Sequence, residues 1–144
     1  MRPGQRAKEY LTSVKNLELK IEFLRYEIDE LEDNISYLPS SSDFGKAKVT
    51  NNNISSAVED VIVRKSEKET DLEKCIAKLA FIRDEAIRMI NGLPVLKDQQ
   101  VLFYRYIKDM TMPEIALTMN YTLRWTQKLH RRALIAFEER YYGG

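Results

Sequence analysis

Apolar residues return every seven positions along the first part of the chain. Val14, Ile21, Ile28 and Ile35 form one row, and Leu17, Leu24, Leu31 and Leu38 form a second. β-Branched residues at a and leucine at d favour a two-stranded coiled coil. The spacing predicts a helix over about residues 5–38, with Val14, Leu17, Ile21, Leu24, Ile28, Leu31 and Ile35 as the seam of a homodimer. A further row, Leu19, Phe23, Tyr26 and Tyr37, lies on another side of the same helix. An isolated zipper would leave that row in water, so a bundle that covers both faces is the expected setting.

The periodicity stops at Pro39. Residues 39–53, PSSSDFGKAKVTNNN, are rich in Ser and Asn and read as a linker. A second helical stripe follows over about residues 54–91, carried by Ile54, Val58, Val61, Leu72, Cys75, Leu79, Ile82, Ala86 and Met89. A chain reversal at the linker predicts an antiparallel helical hairpin. Lys65 and Lys68 interrupt the stripe. They can fix the register, face solvent or weaken the helix, and the pattern leaves these open. Asn91-Gly92-Leu93-Pro94 supplies a stop signal and a proline beyond it. The expected division is a coiled-coil dimerisation region over residues 1–92 and a three-helix domain over residues 93–144.

Within the C-terminal part, residues 97–109 predict a first helix with Val101, Leu102, Tyr104 and Tyr106 as its apolar bulk. Thr111 followed by Glu114 predicts a capping box, in which hydroxyl and carboxylate satisfy free amides reciprocally. Pro113 fits the first turn of that helix, and Ile115, Ala116 and Met119 mark its inward face. Asn120 is placed for a left-handed turn, and Thr122 for the N-cap of a helix reaching about residue 140. Thr126, Leu129, Ala133 and Phe137 form the inward face of this last helix. Helix, turn and helix over residues 111–137 read as a helix-turn-helix.

Charge adds a function to that outline. Residues 1–40 hold six basic and eight acidic side chains, and residues 97–144 hold eight basic and five acidic. Between Thr122 and Leu134 there are four Lys or Arg and no Asp or Glu. An acid-free helix with Arg124, Gln127 and Lys128 near its start suits the major groove, where Arg and Lys read guanine and Gln reads adenine. Arg131 and Arg132 lie farther along, where cations neutralise phosphates. The expected DNA-binding set is Thr122, Arg124, Gln127, Lys128, Arg131 and Arg132, and the expected partner is double-stranded DNA.

Val101-Leu102, Arg105-Tyr106, Glu114-Ile115-Ala116, Tyr121-Thr122 and Arg132-Ala133-Leu134 stand in the order of a known pattern. It resembles region 4 of the sigma-70 family, which reads the promoter −35 element. The whole chain resembles the ArpU/RinA-like family of phage late-gene transcriptional regulators. That resemblance implies a phage or prophage activator of late or packaging genes, working in the cytoplasm of a bacterial host beside host RNA polymerase. It also implies an ion pair between Arg105 and Glu114 that locks two helices together. Thr126 departs from the Val or Ile usual at its place, so its packing is looser or its hydroxyl is satisfied. Leu123 and Trp125 replace polar residues, so the base preference does not carry over. Trp125 is expected first to pack against the first helix of the C-terminal unit, with a thymine methyl, a sugar or a protein as alternatives.

No catalytic site, metal site or cofactor is expected. His130 is the only histidine, which excludes a His pair for metal, and it is expected near the DNA backbone or on the domain surface. The single cysteine, Cys75, has no disulfide partner and reads as a buried thiol. No run is apolar enough for a membrane span, and no signal peptide stands at the start. Two alternatives to a regulator follow from the same pattern: an RNA polymerase-binding adaptor with little DNA affinity, and a small terminase-like packaging subunit.

Overall fold

A computed structural model describes residues 2–36 and 51–143, with side chains described from residue 56 in the second stretch. Every regular element among the described residues is helical: α1 (Gln5–Ser36), α2 (Asn51–Asn91), α3 (Leu96–Leu102), a π-helical turn (Phe103–Ile107), α4 (Met112–Met119) and α5 (Leu123–Tyr141). The all-α class is as expected. Tyr37, Leu38 and the linker up to residue 50 lie outside the described residues, as does the side chain of Ile54. Asn51 to Asn53, expected in the linker, already belong to α2.

The chain divides into two compact units, and the division is not at Gly92. One unit joins Met1–Glu18 to Lys78–Gly144, and the other is the continuous stretch Leu19–Ala77. The boundary expected at residue 92 therefore falls inside a unit. The reason is the shared core: Ala7, Leu11 and Val14 of α1 and Ala86 and Ile90 of α2 are buried together with Val101, Leu102, Ile115, Leu129, Ala133 and Phe137. Burying the Val, Leu, Ile and Phe side chains among them stabilises by about 1.5–3 kcal/mol each, so separating residues 93–144 would expose a large apolar face.

Polar contacts hold the same unit together. The Glu138 carboxylate accepts from the amides of Arg6 and Ala7 at 3.1 and 3.3 Å, capping the start of α1 from α5. Tyr10 stacks on Phe137, and its hydroxyl donates to Glu85 of α2. The Tyr141 hydroxyl donates to the Met89 carbonyl at 2.6 Å. Arg83 of α2 pairs with Glu18 of α1.

In the continuous unit, Ile21, Leu24 and Ile28 are buried, while Leu31 and Ile35 are half-buried. The row expected to pair two copies is thus covered within one chain, and Cys75 of α2 is buried in the same unit. Val14 belongs to the core of the other unit, and Leu17 is half-buried there. Lys68 pairs with Glu27 at 2.6 Å, and Lys65 with Glu32 at 3.4 Å. These pairs run in opposite senses along the two helices. The two lysines, partly exposed, thus reach carboxylates of α1. The row Leu19, Phe23 and Tyr26, expected to be covered in a bundle, is exposed in the single chain, Phe23 to 60%.

Candidate nucleic-acid interface

The caps expected around residue 120 are present, with one change. Thr111 stands in extended backbone before α4, and its hydroxyl accepts from the Glu114 amide at 3.3 Å. The Glu114 carboxylate accepts from that same hydroxyl at 2.9 Å. Only half of the expected box forms, because the carboxylate is held by the hydroxyl and not by an amide. At the other end Asn120 adopts φ 63°, ψ 40°, the left-handed conformation asparagine tolerates. Its amide donates to the Leu117 carbonyl, and the Tyr121 amide donates to the Ala116 carbonyl at 2.9 Å. This is a Schellman ending, which stops α4 sharply. Two residues on, the Thr122 hydroxyl accepts from the Trp125 amide at 3.1 Å and starts α5.

The faces of α5 then separate. Thr126, Leu129, Ala133, Leu134 and Phe137 are buried. The fully buried Thr126 hydroxyl donates to the Thr122 carbonyl at 2.9 Å, so the departure at this position is a satisfied hydroxyl. Arg124, Gln127, Lys128 and Arg131 are all exposed. Arg124, Lys128 and Arg131 follow i, i+4, i+7 and share one side over about 10 Å of helix. Among the described residues none of these three cations makes an ion pair, and no acidic side chain lies between Leu123 and Phe137.

Arg132 is set apart from this group. Its guanidinium lies 3.8 Å from Asp98 Oδ1, a carboxylate only 4% exposed in the first turn of α3. Burial pushes the Asp98 carboxyl up from the usual carboxylate range, and Arg132 opposes the shift. Among the described residues Oδ1 has no hydrogen-bond partner, and Arg132 pairs with it. Arg132 therefore ties α5 to α3. Asp98 was missed in the sequence because an acid in a first helical turn normally reads as a solvated, dipole-favoured residue.

Three further residues have defined places, and Arg105 departs from the expected one. Arg105 donates to the Met110 carbonyl at 2.9 Å and not to Glu114, fixing the segment where Asp109 turns left-handed at φ 56°. His130 is half-buried: its Nε2 lies 2.7 Å from the Tyr106 hydroxyl, and the rings tilt together at 5.6 Å. Burial, with Arg105 and Lys8 nearby, lowers the imidazole to a pKa of about 4, and burial pushes Tyr106 up to about 12. Trp125 packs edge-on against Tyr121 yet stays 44% exposed. With Thr122, Arg124 and Lys128 it lines a shallow depression of about 180 Å³ at the start of α5. Compared with protein-family models, curated proteins and solved structures, the chain matches none.

Proposed function

We propose that the chain binds double-stranded DNA through α5 and acts as a transcriptional regulator. The observation that carries the reading is the exposed, acid-free row Arg124, Lys128 and Arg131 on a helix set off by a tight turn. An α-helix fits the major groove, where Arg124, Gln127 and Lys128 can meet base edges while Arg131 meets phosphate. Thr122 joins the set as the N-cap, because its side chain is engaged with the Trp125 amide. Arg132 has a structural partner in Asp98 and contributes less to DNA in this reading. The resemblance adds a phage or prophage setting, activation of late or packaging genes and host RNA polymerase as a neighbour. Ile21, Leu24 and Ile28 are buried within one chain, so the proposal uses a single copy of α5 and does not rest on a homodimer.

A second reading has its own observation. Leu117 is 84% exposed on α4, and Leu123 is exposed at the start of α5. Apolar side chains beside a basic face suit protein contact, which favours an RNA polymerase-binding adaptor. Fluorescence anisotropy against promoter fragments at two salt concentrations separates the readings, with Arg124→Ala, Lys128→Ala alongside. Fragment-selective binding that the double variant loses supports the regulator. Weak binding that ignores sequence and vanishes with salt moves the assignment to the adaptor.

A further inference from the structure

Arg2 and Lys8 belong to α1's approach and first turns, yet they share a cleft of about 330 Å³ with α5. The cleft is lined by Arg2, Gln5 and Lys8 on one side and by Gln127, His130 and Arg131 on the other. Among the described residues no acidic side chain lines it. Among the described residues Arg2, Lys8 and Arg131 make no ion pair. Nearby carboxylates are occupied: Glu9 accepts from Gln5, and Glu138 accepts from the Arg6 and Ala7 amides.

The position of Arg2 is built by the backbone. Arg2-Pro3-Gly4-Gln5 closes a turn through the Gln5 amide and the Arg2 carbonyl at 3.0 Å, with Gly4 at φ 84°. Proline second and a positive-φ glycine third is the signature of a type II turn. A Cβ at Gly4 would stand 3.1 Å from Leu134 Cβ, so the turn lies directly on α5. Cations from two distant stretches of sequence thereby line one cleft, Arg2 and Lys8 facing Arg131 at the end of the row Arg124 to Arg131.

We infer that Arg2 and Lys8, together with Arg131, clamp the phosphate backbone of the DNA strand flanking the groove that α5 enters. The inference rests on the DNA-binding reading of α5 and extends its footprint. Arg131 joins the two surfaces, with base-edge contacts toward Arg124 and phosphate contacts toward Arg2 and Lys8. Such contacts add affinity to every sequence alike and leave discrimination to the start of α5.

The test is the salt dependence of binding by the full chain to a selected duplex and to a scrambled duplex of the same length. Each lost phosphate contact lowers the slope of log K against log salt by about 0.9. Arg2→Ala, Lys8→Ala should flatten that slope by about two units on both duplexes and keep their affinity ratio. The charge-conserving pair Arg2→Lys, Lys8→Arg should keep the wild-type slope, which separates lost charge from a disturbed turn. An unchanged slope in the alanine pair, with wild-type binding intact, overturns the clamp and leaves the α5 reading standing. Absence of duplex binding by the wild type overturns both.

Discussion

Acidification from pH 7 to pH 5 should weaken the unit that carries α5, and His130 is the group responsible. Its Nε2 faces the Tyr106 hydroxyl, and burial, with Arg105 and Lys8 nearby, holds its pKa near 4 against an ordinary value of 6.5. With the folded pKa depressed, the unfolded chain takes up the proton first as pH falls. Stability is therefore fully present above the unfolded value and is lost as pH drops toward the folded one. At about 1.4 kcal/mol per pKa unit the whole gap amounts to about 3 kcal/mol, of which about 2 kcal/mol is gone at pH 5. Asp98, whose carboxyl burial pushes up, shifts stability in the opposite direction, so a comparison variant is needed. His130→Gln keeps a polar partner for Tyr106 and does not titrate. Urea unfolding followed by Trp125 fluorescence reports on the same unit, since Trp125 is the only tryptophan. Between pH 7 and pH 5 the wild type should lose about 2 kcal/mol more than the variant. Equal losses would refute the assignment of a neutral, half-buried His130.

Other perturbations separate structure from recognition. Arg132→Ala should cost about 1–3 kcal/mol of stability, because it leaves the Asp98 carboxylate uncompensated; thermal melts unchanged from wild type would detach Arg132 from Asp98. Arg131→Ala should leave melts unchanged and flatten the salt slope by about one unit, read by anisotropy. Leu24→Ala should destabilise residues 19–77 by about 2–5 kcal/mol with no change in mass by light scattering, and a fall in mass would restore the intermolecular seam. Thr111→Ala should cost about 1 kcal/mol through the lost N-cap, and its failure to do so would show the cap to be redundant with Pro113.

What could be read from the sequence was local. Thr111, Asn120 and Thr122 act within three or four residues, so their residue types alone announce where α4 stops and α5 starts. The i, i+3, i+7 face of α5 is equally local, and it left Arg124, Gln127, Lys128 and Arg131 outside. Partners at long range were not legible. Glu138 caps α1 across a separation of 132 residues, and Asp98 meets Arg132 through packing that no spacing rule encodes. The π-helical turn at Phe103–Ile107 breaks the 3.6-residue period. Arg105, within that turn, donates to the Met110 carbonyl and not to the Glu114 expected from the sigma-like pattern. The heptad row was plain as a pattern, but a seam looks the same whether its partner is a second chain or α2. The lysines at 65 and 68 became interpretable only once Glu32 and Glu27 stood opposite them.

The discontinuous unit also has a consequence for the order of events during synthesis. Ala7 and Phe137 share one core, so the first cannot be buried until the second has been made. At 5–20 residues per second that interval is on the order of ten seconds. Throughout it Ala7, Leu11 and Val14 wait as an unpaired apolar stripe, while residues 19–77 already have their partners within reach. The basic surface of α5 is therefore acquired late and all at once, with the closing of the N-terminal turns onto it. A fragment beginning after Gly92 would carry the residues of the surface without the support that shapes it.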